Sequence, residues 1–262
     1  MPAEVPAAAT TALHGLLTSP LRPAEVRGVF PGAVYVDTGI NPGHEIVAVV
    51  TIDALRLPCS LVIAAHSRTL PFASLTVGDP ATVGAGRVVT HDQHFAVRRW
   101  QRPRRSLTLQ PGPGLAARSA ALAALLPDPA HPLPATSPEE LVGLGPGLTP
   151  AGDDVLAALL LTLTAAPSAR RHLDRLTSAT APLLPRTTSL SATLLRHAAA
   201  GRGIPEVLDL VDALTGVGDL ERAALRLLGV GHSSGPALAH GVLEAIRLIN
   251  DASADPSTER AA

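Results

Sequence analysis

Hydrophobic positions in the first half of the chain come in short clusters rich in Val and Ile, broken by Gly, Pro, Asn and Asp. Val26–Val36, Glu45–Ile52 and Cys59–Ala65 have this form, with Asn41-Pro42-Gly43 as one of the breaks. Such a pattern predicts strands joined by turns. Leu75–Val89 predicts two further strands around Gly78-Asp79-Pro80, and Phe95–Trp100 one more. Short strands at this spacing imply an antiparallel sheet or a small barrel.

The pattern changes after about Pro111. Apolar residues, mostly Ala and Leu, now recur over longer runs, which predicts helices at Ala116–Leu126, Asp154–Ala166, Ala169–Thr180, Leu190–Ala200, Ile204–Leu214, Leu220–Leu228 and Ala237–Ile249. Pro127–Pro138 holds several prolines and reads as an exposed linker. Ser137-Pro138-Glu139-Glu140 after it has the form of a capping box with Pro at the first helical position. The fold class expected is α+β: a strand-rich region over 1–112, a helical region over 113–250 and a disordered tail over 251–262.

Composition narrows the possible functions. Of the 262 residues 46% are apolar but only 2% aromatic, so the core must be built of Leu, Val and Ala. The net charge of -1 argues against a nucleic-acid partner. All basic side chains are Arg, and the absence of Lys removes Schiff-base and P-loop chemistry. The single cysteine, Cys59, lies in an apolar run and reads as a buried thiol, so neither a disulfide nor a Cys-rich zinc site is expected. The longest apolar helix candidate, Val155–Ala166, is too short to cross a bilayer. The start Met-Pro-Ala-Glu lacks the basic segment of a signal peptide, so a cytoplasmic protein without membrane contacts is expected.

Three loops carry candidate chemistry, and each leads into a predicted helix. Gly143–Asp154 is Gly-rich and ends in two adjacent carboxylates, Asp153 and Asp154. Glycines let backbone approach a ligand closely, and a helix N-terminus favours an anion. One Asp would suffice to cap the helix. Two adjacent carboxylates repel, so the second calls for a metal ion, an Arg or a substrate amide. Pro185–Ser191 supplies Arg186 and the hydroxyls of Thr187, Thr188 and Ser191, suited to an oxyanion, although Thr188 is also placed to cap the next helix. Gly229–Gly235 surrounds His232 with glycines and with Ser233 and Ser234, which predicts an accessible imidazole that titrates near neutrality. The basic patch Arg98, Arg99, Arg102, Arg104 and Arg105 around Trp100 reads as a solvated face or partner contact, and His91 and His94 as surface residues. No activated nucleophile stands out.

At these loops the sequence resembles the AllH-like family, whose signature is a GLGPGLTPxGDD turn, a TTxLS segment and a GHSSG segment. They are matched here at Gly143–Asp154, Thr187–Ser191 and Gly231–Gly235, in the family's order. The resemblance implies a subunit of a carbamoyltransferase complex in allantoin and purine nitrogen degradation. With two companion subunits it would convert oxalurate and phosphate into oxamate and carbamoyl phosphate. A non-catalytic assembly or effector-sensing subunit, or a free-standing amide or ureido hydrolase, remains the alternative. The chemistry fits an anionic substrate, a ureido acid or phosphate, held by Gly145, Gly147, Thr149, Gly152, Arg186, Thr187, Thr188, Ser191, Ser233 and Ser234. Asp153 and Asp154 would repel that anion unless a cation bridged them, for which Mg²⁺ is suited, or unless they accept the ureido N–H groups. Asp154 and His232 are the expected catalytic pair, His232 protonating the departing nitrogen.

Overall fold

A computed structural model describes residues 3–39, 45–127 and 137–254. The chain falls into two compact units, one ending at Pro103 and one beginning at Arg104. The strand-rich half followed by a helical half makes the fold α+β, as the hydrophobic pattern predicts.

The first unit is a closed barrel of eight strands: β1 (Ala3–Thr10), β2 (Arg22–Phe30), β3 (Ala33–Asp37), β4 (Ile46–Val50), β5 (Ser60–Ile63), β6 (Pro80–Gly84), β7 (Arg87–Val89) and β8 (Gln93–Gln101). The order round the barrel is β1-β5-β4-β3-β2-β6-β7-β8. Closure leaves no unpaired sheet edge. The sheet is mixed rather than antiparallel, because β4 pairs with β5, and β1 with β8, in parallel. Val26, Val34, Val36, Val47, Val49, Leu61, Ile63, Val83, Val88 and Phe95 are buried. Each such side chain contributes on the order of 2 kcal/mol by leaving water. A short helix, α1 (His14–Thr18), buries Leu17, and Leu17 O accepts from Gly86 N–H at 2.7 Å.

Three details depart from the sequence pattern. Strand β1, with sequence AEVPAAAT, is invisible to strand propensity; its backbone is recruited by β5 and β8 to close the barrel. Val26–Val36 is not one strand but parts of β2 and β3, turning at Pro31-Gly32. The expected turn at Gly78-Asp79-Pro80 precedes β6 instead of dividing two strands. The β6–β7 hairpin turns at Ala85-Gly86, where positive φ angles of 48° and 74° are taken up. Cys59 is buried, as its apolar setting predicts. The Asn41-Pro42-Gly43 break lies outside the described residues.

The second unit comprises α2 (Pro113–Leu125), α3 (Pro138–Leu141), α4 (Ala151–Thr164), α5 (Arg170–Thr180), α6 (Ser189–Ala199), α7 (Pro205–Leu214), α8 (Leu220–Leu228) and α9 (Ser234–Ala254). Helix α4 is apolar on nearly every face, from Val155 to Leu163, and is buried accordingly. Helix α9 crosses it at Gly241, where an added Cβ would lie 2.1 Å from Val155 O. The capping box is not formed: Ser137 Oγ donates to the Glu139 carboxylate at 2.7 Å and no side chain caps α3. Residues 128–136 of the expected linker and 255–262 of the expected tail lie outside the described residues. Residues 251–254 continue α9. Among the described residues, no helix is long and apolar enough to cross a membrane.

Candidate functional site

The three loops enter α4, α6 and α9, and side chains join them. Asp153 and Asp154 are the third and fourth residues of α4, whose N-cap position is Pro150 without a side-chain cap. Asp153 therefore caps nothing on its own helix. Its Oδ1 accepts from Gly143 N–H at 2.9 Å and its Oδ2 accepts from the Thr187 hydroxyl. One carboxylate thus ties the Gly-rich loop and the loop before α6 to the first turn of α4. Two backbone contacts tighten the tie. Gly143, at φ 79°, passes so close to Arg186 O that a Cβ there would lie 2.6 Å from it, and Gly152 leaves a Cβ only 2.2 Å from Leu141 O.

The loop before α6 runs from exposed Pro185 and Arg186 to buried Leu190 and Ser191. Thr188 caps α6 by accepting from Ser191 N–H at 3.1 Å while its hydroxyl donates to Leu148 O at 2.6 Å. Ser191 Oγ reaches the same carbonyl at 3.4 Å. Arg186 donates to Glu139 O at 3.0 Å. These groups, expected from sequence to meet a ligand, also hold the loops together. Gly145 and Gly147 stay exposed, at φ 112° and 95°.

Asp154 behaves differently from its neighbour. It is 6% exposed, and its Oδ2 is buried with no hydrogen-bond partner among the described residues. Burial pushes its carboxyl up to about 7. The Ser234 hydroxyl beside it works against this, and the Asp153 charge adds to the rise. Ser234 is the first residue of α9, three residues earlier than the hydrophobic pattern places that helix, and its Oγ lies 3.4 Å from Thr149 Oγ1. A line of hydroxyls, Thr149 and Ser234, thus runs from the half-exposed loop surface to the buried carboxyl. His232 and Ser233 are exposed, and among the described residues no hydrogen bond or ion pair joins His232 to either aspartate. Sequence reasoning named Ser234 only as a binding group; its closeness to Asp154 has no signal in the sequence, because they are 80 residues apart.

The two aspartates named for Mg²⁺ have different surroundings: each Asp153 oxygen accepts one hydrogen bond, and Asp154 is buried. Among the described residues no group of three His, Cys, Asp or Glu side chains could hold a metal ion. Of the remaining candidates, Arg98 pairs with Glu4, and Arg104 pairs with Asp212 and, at 2.6 Å, with Asp209. His91 lies on the surface near Asp79 and Asp92.

The helical unit is therefore a bundle whose loops at three helix N-termini are stitched around the buried Asp154 carboxyl. Residues 141–246 match the model of the family described as oxamate carbamoyltransferase subunit AllH. The matched stretch contains all three loops, and the resemblance carried by their motifs is borne out there. Neither the curated proteins nor the solved structures returned a match.

Proposed function

We propose that this chain is the substrate-handling subunit of a carbamoyltransferase that works with companion subunits on a small ureido acid and phosphate. The observation that supports this reading is that the 141–246 match encloses the three loops that meet at the buried Asp154 carboxyl. In the oxalurate form of the reaction, phosphate attacks the carbamoyl carbon and the departing oxamate nitrogen needs a proton. Asp154, held near neutrality by burial, is matched to that transfer, since a group whose pKa lies near the working pH both gives and takes a proton. Exposed His232 on the α9 loop is a second proton donor or an anion contact. Gly145, Gly147 and the Thr149 and Ser233 hydroxyls form the accessible side of the ligand site, while Asp153, Thr187 and Thr188 keep its frame.

The test is thermal stabilisation of the purified chain by oxalurate and by phosphate, singly and together, with and without Mg²⁺. The expected result is a concentration-dependent rise in Tm that is lost in Asp154→Asn. A chain that neither ligand stabilises, but that still assembles with companion subunits, would place it in the complex as an assembly subunit instead.

A further inference from the structure

We propose that Ser234 is a nucleophile that carries the carbamoyl group as a covalent intermediate, with Asp154 as its base. The inference rests on the carbamoyl-transfer reading above and adds a chemical step to it: transfer in two stages instead of direct attack by phosphate.

Three observations converge on Ser234. It opens α9, a helix of 21 residues, so its side chain sits at the positive end of a long dipole, where developing negative charge on an attacked carbonyl is favoured. Ser234 is partly exposed, and its Oγ lies 3.4 Å from Thr149 Oγ1, a second hydroxyl that positions it. The Ser234 hydroxyl is beside the Asp154 carboxyl, which is 6% exposed and whose Oδ2 has no hydrogen-bond partner among the described residues. A buried carboxylate oxygen without a partner is costly, and a catalytic role is one of the explanations for a native fold that keeps one. A serine beside a buried base is the arrangement that activates a hydroxyl for acyl transfer. Gly235 N–H is already bonded to Val230 O at 2.9 Å, which locks the start of α9 and so the position of Ser234.

The chemistry balances without a cofactor. Ser234 Oγ bonds to the carbamoyl carbon as its proton passes to the Asp154 carboxylate. The bond from that carbon to the donor nitrogen breaks, and the nitrogen takes the proton from Asp154. A phosphate hydroxyl then attacks the same carbon and gives its proton to Asp154. The Ser234 Oγ–carbon bond breaks, Ser234 takes that proton back, and carbamoyl phosphate leaves. Run in reverse, carbamoyl phosphate loads Ser234 and releases phosphate.

The reverse direction supplies the experiment. The full chain is incubated with carbamoyl phosphate and examined by intact mass and peptide mapping. The absence of Lys helps, because cyanate formed from the reagent has few amines to modify; with Cys59 buried, background should fall on the N-terminal amine. The expected result is one added carbamoyl group on the peptide holding Ser234, at least tenfold reduced in Ser234→Ala and in Asp154→Asn. Modification confined to the N-terminus, or spread equally over Ser233 and Ser234, overturns the proposal. Because mapping on the native chain decides the matter, a variant that fails to fold does not rescue it. Stabilisation by oxalurate or phosphate without an adduct on Ser234 removes the covalent step and leaves the ligand site standing. Absence of both removes the two together.

Discussion

The Thr187 hydroxyl donates to Asp153, and this one contact joins the first turn of α4 to the loop that starts α6. The other oxygen of the carboxylate is taken by Gly143 N–H at 2.9 Å. The frame of the site therefore depends on a side chain that is 2% exposed and cannot be replaced by water without opening the loops. Asp153→Ala leaves two part-buried donors unpaired and should cost about 2 kcal/mol, and Thr187→Val about 1 kcal/mol. Urea denaturation of both variants measures this. Two neutral changes would show that Asp153 faces a ligand and not the frame.

Asp154 makes the opposite prediction about stability. Its carboxyl is raised from 3.8 to about 7, so the folded state holds its proton more tightly than the unfolded chain does. Stability from this group is full below pH 4, falls as pH rises toward 7, and is level above. Asp154→Asn removes that loss. The variant should be more stable than the native chain at pH 8, by on the order of a few kcal/mol, with the gap closing toward pH 4. Melting curves of the two proteins across that range decide the point; a gap that is constant with pH would mean that Asp154 stays ionised throughout.

Thr188 separates frame from ligand contact. It caps α6 and donates to Leu148 O, so Thr188→Ala should cost about 1 kcal/mol while stabilisation by phosphate is retained. Thr188→Ser should restore most of the loss. If phosphate no longer stabilises Thr188→Ala at a temperature where it is folded, the hydroxyl has a second role at the site.

The α4–α9 crossing sets where Ser234 stands. An alanine at 241 would press its Cβ against Val155 O, 2.1 Å away, and neither backbone has space to yield. Gly241→Ala should destabilise by about 3 kcal/mol and weaken ligand-induced stabilisation even where the chain still folds. Chemical denaturation and the thermal assay with phosphate together report both effects.

The hydrophobic pattern alone determined the change from strands to helices, because a period near two and a period near 3.6 are local properties that each element must satisfy. It determined that three Gly-rich or hydroxyl-rich loops precede helices, and so which segments were candidates for a site. It did not contain β1, whose alanines become a strand only because β5 and β8 offer backbone partners on both sides. Nor did it separate Asp153 from Asp154. Adjacent residues on a helix point about 100° apart, so neighbours with the same chemistry enter different surroundings. One turns to Gly143 and Thr187 and is satisfied. The other turns toward Ser234 and is left buried with an oxygen free, and only the packing of α9 against α4 decides that.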